Sequence, residues 1–159
     1  MGAWGYEALE SDSGLDVVDF LGDYIASNYK ENDVHLKLSE VIAEMKKNDF
    51  IGDTYENIDF FYDNSVMALC ELYLMFKTSR MIIYEDDEDQ SRDLKKRVKS
   101  FEGDKESIKY LVQYLKNIDN EVPDEDGERE IAVLWKESDS WDEWKSHLNS
   151  LITNMEKEA

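Results

Sequence analysis

One stretch of the chain, from about Ile58 to Thr78, constrains the fold more than any other. A helix drawn through it carries apolar or aromatic side chains on nearly every side. These are Phe60, Phe61, Tyr62, Val66, Met67, Leu69, Leu72, Tyr73, Leu74 and Phe76. Such a helix is stable in water only when other elements surround it. We therefore predict a central, buried helix with the rest of the chain packed around it.

The remaining chain repeats its apolar residues at intervals of three and four, which is the period of amphipathic helices. One proline and seven glycines leave few points at which helices must end. The sequence predicts a single all-α domain over residues 1–159, a bundle of about six helices with acidic loops between them. Outside the central helix, helical segments are expected over 13–29, 34–48, 91–101 and 128–137. Two more are expected: a helix that Asp104 caps, with an apolar stripe from Ile108 to Ile118, and a last helix that opens with the capping box at 140–143 and extends to Met155. Residues 81–84 form a short apolar run that is compatible with a strand or with the end of a helix.

The charge is strongly unbalanced, with 38 acidic against 18 basic side chains and a formal net charge of −20. Such a chain does not attract DNA, RNA or an anionic membrane, so the expected partner is a basic or neutral protein. Residues 92–116 carry eight basic and four acidic side chains, a local charge of +4, and the remainder therefore carries −24. This segregation has two interpretations. The basic segment pairs with an acidic flank of the same chain, or the acidic surface binds a basic partner.

Two acidic stretches are candidate partner-binding loops, because like-charge repulsion keeps such runs in solvent. Pro123 supports a loop at the second stretch. The candidate partner-binding residues are Glu85, Asp86, Asp87, Glu88, Asp89, Asp124, Glu125 and Asp126. Trp141 and Trp144 lie on one face of the last predicted helix, and their spacing suits either core packing or an interface.

No recognised catalytic, cofactor-binding or metal-binding pattern occurs. His35 and His147 lie in no catalytic motif, and Cys70 lies in an apolar helix, where burial makes a thiol a poor nucleophile. Calcium-loop registers fail at their sixth and twelfth positions, and no phosphate-binding glycine motif is present. We therefore expect a non-enzymatic protein without a cofactor. The first 30 residues lack a signal-peptide core, and no apolar run is long enough to span a bilayer, so a cytoplasmic location is expected.

The chain starts with Met-Gly-Ala-Trp-Gly, followed by the acidic run Glu10-Ser11-Asp12-Ser13-Gly14-Leu15-Asp16. This motif resembles the start of a bacterial family of small proteins catalogued as domain of unknown function 4259. The resemblance covers about a tenth of the chain. It implies a bacterial cytoplasmic protein and carries no activity with it.

The N-terminal motif allows two roles for its residues Gly2, Trp4, Gly5, Asp12 and Asp16. In the first, the two glycines let the backbone turn tightly, so that the indole of Trp4 enters the core and anchors the terminus. In the second, the terminus and the two aspartates line a groove for a ligand or partner.

Taken together, these features favour an acidic protein-interaction module that neutralises or regulates a basic protein, as a cytoplasmic immunity protein or an inhibitor would. One alternative is a nucleic-acid mimic that occupies the phosphate-binding groove of a DNA- or RNA-processing enzyme. Regularly spaced surface carboxylates would favour the mimic, whereas acid confined to the two loops would favour the first interpretation. A second alternative is a hydrolase in which three or more carboxylates hold a divalent metal.

Overall fold

The structure is a computed structural model that describes residues 3–52, 59–124 and 127–159. The described chain contains seven α-helices and two short strands. In order, these are α1 (Asp12–Asn28), β1 (Val34–Lys37), α2 (Leu38–Lys47), α3 (Phe60–Ser79), α4 (Leu94–Arg97), β2 (Val98–Glu102), α5 (Lys105–Asp119), α6 (Glu130–Lys136) and α7 (Trp141–Lys157). Short 3-10 turns lie at Ala8–Glu10 and Gln90–Arg92. The prediction of a helical domain is confirmed.

Helix α3 is the predicted central helix, and α1, α5, α6, α7, β2 and the Ala8–Glu10 turn all contact it. Every residue from Asp63 to Tyr73 is buried. Asp59 caps its start by accepting a hydrogen bond from the Tyr62 amide at 2.9 Å, and Arg80 ends it in the left-handed conformation. The other helices therefore have to bury only one face each, which explains why their sequences are amphipathic.

A small parallel sheet corrects the helix expected over 34–48. Residues Val34–Lys37 form β1, and the helix begins only at Leu38. Side chains in β1 alternate between buried and exposed, which is the period of a strand. Its partner is β2, with Val34 opposite Val98 and Leu36 opposite Phe101. Four residues are too few for periodicity to distinguish a strand from the start of a helix. Residues 34–37 form a strand because they pair with β2.

The basic helix expected over 91–101 is likewise wrong. A 3-10 turn is followed by the single turn α4, which Asp93 caps through the Lys96 amide at 2.8 Å, and the chain then extends into β2. Arg97 explains the break, because its buried guanidinium donates to the carbonyls of Ile25, Tyr29, Glu31 and Ser91. Two of these carbonyls lie at the C-terminal end of α1, where the partial negative charge of the helix dipole favours a cation.

Gly103 follows β2 directly and does not adopt the left-handed conformation. Among the described glycines, only Gly127 has a positive φ, of 85°. At Gly103 the requirement is space, since a Cβ would lie 2.6 Å from the phenolic oxygen of Tyr73. Residues 81–84, whose structure the sequence left open, form neither strand nor helix.

A buried ion pair joins the start of α3 to the residue before α6. The Arg129 guanidinium donates to both carboxylate oxygens of Asp63 at 2.8 Å each, and to the Val122 carbonyl at 3.1 Å. Both side chains are almost completely inaccessible to solvent. Burial raises the pKa of Asp63 to about 6, because the loss of hydration outweighs the stabilisation that Arg129 gives the carboxylate. No helix in the described chain is both long and apolar enough to cross a membrane.

Candidate functional site

The N-terminal segment, defined here as Ala3–Ser11, is attached to the middle of the central helix by one carboxylate. Glu71 accepts a hydrogen bond from the Ala8 amide at 2.7 Å and from the Leu9 amide at 2.8 Å. The Nε2 atom of His147, on α7, lies 2.7 Å from the same carboxylate. Glu71 is only 9% exposed, and a polar group at such a position requires hydrogen-bond partners from the protein in place of water. One buried group thus positions both the segment and His147.

The far end of the N-terminal segment is fixed by a second polar cluster. Ser11 caps α1 by accepting a hydrogen bond from the Gly14 amide at 3.1 Å. The buried side chain of Asn64, on α3, donates to the hydroxyls of Ser11 at 2.8 Å and Ser13 at 2.6 Å. A Cβ at Gly14 would lie 1.9 Å from the Ala8 carbonyl oxygen, so the segment passes α1 at a distance that only glycine allows.

The segment folds back on itself, which fixes the backbone of Trp4. The Trp4 amide donates to the Glu10 carbonyl at 2.9 Å, and Ala3 forms an antiparallel bridge with Ser11. The Trp4 side chain is nevertheless 61% exposed. The expectation that the indole enters the core is therefore wrong. Gly5 needs no unusual φ, although a Cβ there would overlap the Glu10 carboxylate.

Tyr6 follows Trp4 and is 39% exposed. Its ring packs edge-on against the His147 ring, with 5.7 Å between the ring centres. An open concavity of about 420 Å³ lies here, lined by Tyr6, Asp142, Glu143, Ser146, His147 and Ser150. Glu7 follows Tyr6 in sequence. Its pKa is raised, mainly by burial and to a smaller extent by the negative charge of Glu71. Two carboxylates, hydroxyl groups and an aromatic ring make this surface suited to a cationic group.

Asp12 and Asp16 of the N-terminal motif lie exposed on α1, in line with Asp19 and Asp23. The spacing of these four aspartates places them on one face of the helix. Arg92 binds one end of this acidic stripe, at 2.8 Å from Asp23 and 3.7 Å from Asp19. Asp12 and Asp16 form no ion pair with any other described residue.

The first predicted acidic loop is largely engaged within the chain. Glu85 pairs with Lys95 at 2.8 Å, and Asp86 pairs with Arg92 at 2.7 Å. Asp89 caps the following 3-10 turn through the Ser91 amide at 3.0 Å. Asp87 and Glu88 are exposed and form no ion pair within the described chain. The basic segment therefore pairs with acidic flanks of its own chain at Arg92 and Lys95.

In the second acidic loop, Asp124 accepts a hydrogen bond from the Glu128 amide at 3.3 Å. Glu125 and Asp126 lie outside the described residues, as does Gly2 of the N-terminal motif. No set of three or more carboxylate, histidine or cysteine groups that could hold a metal occurs in the described ranges.

The two tryptophans of α7 differ in their surroundings. Trp144 is 1% exposed and stacks on Trp135 and Trp141, with ring centres 5.9 and 5.5 Å apart. Trp141 is half-buried, and Lys136 and Lys145 lie over its ring. Trp144 is thus a core residue. Cys70 is also fully buried, and burial raises the pKa of its thiol far above the usual range.

The profile of one protein family, described as Domain of unknown function (DUF4259), matches residues 2–147. The chain belongs to the DUF4259 family. The match includes the N-terminal segment, the central helix and both members of the Glu71–His147 pair. No curated protein and no solved structure matches this DUF4259 chain.

Sequence reasoning missed the Glu71–His147 pair and Tyr6 in this DUF4259 domain. A signal existed for Glu71, because it is the one charged residue in the apolar run from Val66 to Phe76. A lone charged side chain at the centre of a buried helix needs a hydrogen-bonding or charged partner, so its position indicates a polar contact inside the protein. No comparable signal pointed to His147, which is 76 residues away in sequence.

Proposed function

We propose that this domain is an acidic interaction module that binds a more basic protein, as an immunity protein or an inhibitor does. The observation that carries this proposal is Trp4, an exposed indole whose own backbone amide is hydrogen-bonded to the Glu10 carbonyl at 2.9 Å. Tryptophan is enriched among residues that dominate binding energy. An anchor whose backbone is already fixed loses little conformational freedom when a partner binds.

Charge around the anchor supports a basic partner. Asp12 and Asp16 follow the N-terminal segment directly, and Asp142 and Glu143 line the concavity beside Tyr6. A lysine or arginine of the partner could place its cationic group against these carboxylates and the Tyr6 ring. Complementary charge of this kind chiefly accelerates association and selects among partners.

The test is capture of proteins from a lysate of the source cells on the immobilised domain, at low and at high salt. We expect a basic protein to be retained, and its affinity to fall at least about 30-fold for Trp4→Ala, the loss typical of a binding hot spot. The melting temperature should be unchanged, because the indole is exposed. A Trp4→Ala domain that retains the same protein equally well would refute the proposal, as would the absence of any retained basic protein.

A matched pair of charge variants tests the acidic component. Asp12→Asn with Asp16→Asn removes two charges beside the anchor, and Glu40→Gln with Glu106→Gln removes two exposed charges from α2 and α5. We expect the first pair to slow association and to weaken its dependence on salt, while the second pair has little effect. Equal effects of the two pairs would indicate general attraction without a defined site.

One observation favours the nucleic-acid mimic as a second candidate. Asp12, Asp16, Asp19 and Asp23 form a regular row of carboxylates along α1, instead of acid confined to the loops. If the captured protein is a DNA- or RNA-processing enzyme, duplex DNA or RNA should displace it from the domain in competition. Retention that is insensitive to nucleic acid would exclude the mimic and leave the interaction module.

A further inference from the structure

The segment after the central helix carries exposed apolar side chains on a backbone that forms neither helix nor sheet. Residues 82–86 run without a turn or bend. Met81 is 38% exposed, Ile82 is buried, Ile83 is 55% exposed, Tyr84 is half-buried and Glu85 is exposed. This alternation is that of a strand with one face on the core and one face in solvent. The segment nevertheless belongs to no sheet.

One edge of this segment lacks backbone partners. The Tyr84 carbonyl accepts a hydrogen bond from the Lys95 amide at 3.0 Å, so that edge faces α4. In an extended chain the N–H and C=O groups of neighbouring residues point to opposite edges, so those of Ile83 and Glu85 point away from α4, and this edge begins at Met81, where the chain bends. None of these backbone groups is hydrogen-bonded to any described residue. We call these three residues the 81–85 edge.

We propose that the 81–85 edge binds an extended, basic segment of the partner protein by strand addition. Unpaired backbone groups in a row are a template for a further strand, and alternate side chains supply selectivity. Here Met81 and Ile83 would contact apolar side chains of the added strand. The proposal rests on the proposed function, because it specifies how part of the basic partner is bound.

Charge decides between a partner strand and a second copy of this chain. Each copy carries −20, so long-range repulsion opposes the pairing of two identical edges. The segment also leads into Asp87 and Glu88, which are exposed and form no ion pair with the described residues. Lysine or arginine side chains on the added strand would lie near these carboxylates.

The test uses a synthetic peptide of alternating lysine and valine as the probe, with three control peptides. The first is N-methylated at alternate amides, the second has glutamate in place of lysine, and the third has serine in place of valine. We expect the lysine–valine peptide, and none of the three control peptides, to slow hydrogen exchange at the Ile83 and Glu85 amides of the whole domain. Equal protection by the N-methylated peptide, or no protection at these amides, would overturn the proposal.

Two domain variants complete the experiment. Ile83→Pro removes the amide at the centre of the edge and should abolish protection of Glu85, whereas Ile83→Thr keeps the amide and should retain it. If the proline variant does not fold, the N-methylated peptide still tests the hydrogen bonds between the two strands, because it removes the donors of the peptide instead of the donor of the domain. Concentration-dependent dimerisation that protects Ile83 without any peptide would show a second copy as the occupant and overturn the proposal.

The outcome separates this proposal from the proposed function. Loss of the captured basic protein in Trp4→Ala, with no peptide protection at the 81–85 edge, would leave the interaction module and remove strand addition. Protection at the edge, with no basic protein retained through Trp4, would remove the proposed function and leave an edge that binds extended peptides.

Discussion

Glu71 and His147 meet at 2.7 Å between the middle of the central helix and the C-terminal helix, and the same carboxylate accepts hydrogen bonds from the Ala8 and Leu9 amides. Three elements that are distant in sequence are thus joined at one buried group. The exposed Trp4 owes its fixed position partly to this carboxylate. Disrupting Glu71 should therefore affect binding at a surface that Glu71 does not itself reach.

Replacing Glu71 with Gln should release the N-terminal segment. The amide side chain has one acceptor oxygen, so at least one of the two backbone amides loses its partner, and the charge on the remaining bond is lost. We expect the free energy of unfolding to fall by about 1.5 to 3 kcal/mol, the range for hydrogen bonds to charged groups. Hydrogen exchange at Ala8 and Leu9 should accelerate. Glu88→Gln, with the same charge change in solvent, should leave both measurements unchanged, and an unaltered exchange rate in Glu71→Gln would contradict the assignment.

Gly14→Ala should destabilise the fold by steric overlap, because the new Cβ would meet the Ala8 carbonyl oxygen at 1.9 Å. We expect a loss of at least about 2 kcal/mol, as for overpacking that the backbone must absorb. Gly127→Ala is the comparison, because a Cβ there meets nothing within 4 Å and costs only the strain of its positive φ, about 1 kcal/mol. Chemical denaturation of the two variants measures the difference. A smaller loss at Gly14 than at Gly127 would count against the close approach.

Asp63 should titrate near pH 6 in the folded protein, because burial raises its pKa from 3.8 to about 6. Between these two values the folded state retains a proton that the unfolded state has released. This group therefore lowers the free energy of unfolding as the pH rises through that window. Carboxyl carbon NMR should show the midpoint directly. Asp104 is the internal comparison, since hydrogen bonds from Ser107 lower its pKa.

The same window can be tested by stability measurements on Asp63→Asn. The variant cannot ionise, so the free energy of unfolding of the wild-type protein relative to the variant should fall between pH 4 and 6 and then level off. Only the change of this difference with pH tests the pKa of Asp63. Loss of the ion pair with Arg129 shifts the difference by a further amount at every pH. A difference that rises with pH would show that Arg129 outweighs burial.

Arg92→Gln should free the acidic stripe of α1 with little effect on stability. Arg92 pairs with Asp19, Asp23 and Asp86, but the two α1 carboxylates are more than 70% exposed, and such surface pairs contribute at most about 1 kcal/mol each. We expect a small drop in melting temperature that high salt reduces. Association with the captured basic protein should become faster at low salt. An unchanged association rate would place the partner away from this stripe.

The central helix could be predicted because its sequence leaves no polar face. That property depends only on the residues of this stretch and not on contacts with distant segments. The two strands could not, because Val34–Lys37 and Val98–Glu102 are short and their pairing joins distant segments. Arg97 shows the same limit. Its neighbours in sequence predict a basic helix, yet its guanidinium donates hydrogen bonds to carbonyls of α1 and of the loops. The sequence shows that Arg97 is a cation, but it does not show which groups the guanidinium binds.

The candidate site was predicted only in part. The motif drew attention to Trp4, Asp12 and Asp16, and the latter two are exposed on α1. Burial of the indole was expected from the two glycines that flank Trp4. The segment does turn back, through the hydrogen bond from the Trp4 amide to the Glu10 carbonyl, but the indole stays 61% exposed. Tyr6 and His147 meet across the fold, so their contact depends on where α7 docks.

The parallel pairing of β1 with β2 has a kinetic consequence. Roughly 60 residues, including the central helix, separate the two strands, so closing that loop has a length-dependent entropy cost of about 4 kcal/mol. The amphipathic helices α1 and α7 draw on hydrogen bonds between residues close in sequence, and these bonds do not require the loop to close. We therefore expect the strand pair to assemble late, and the folding rate to be set by this one long-range encounter more than by the helices that make up most of the molecule.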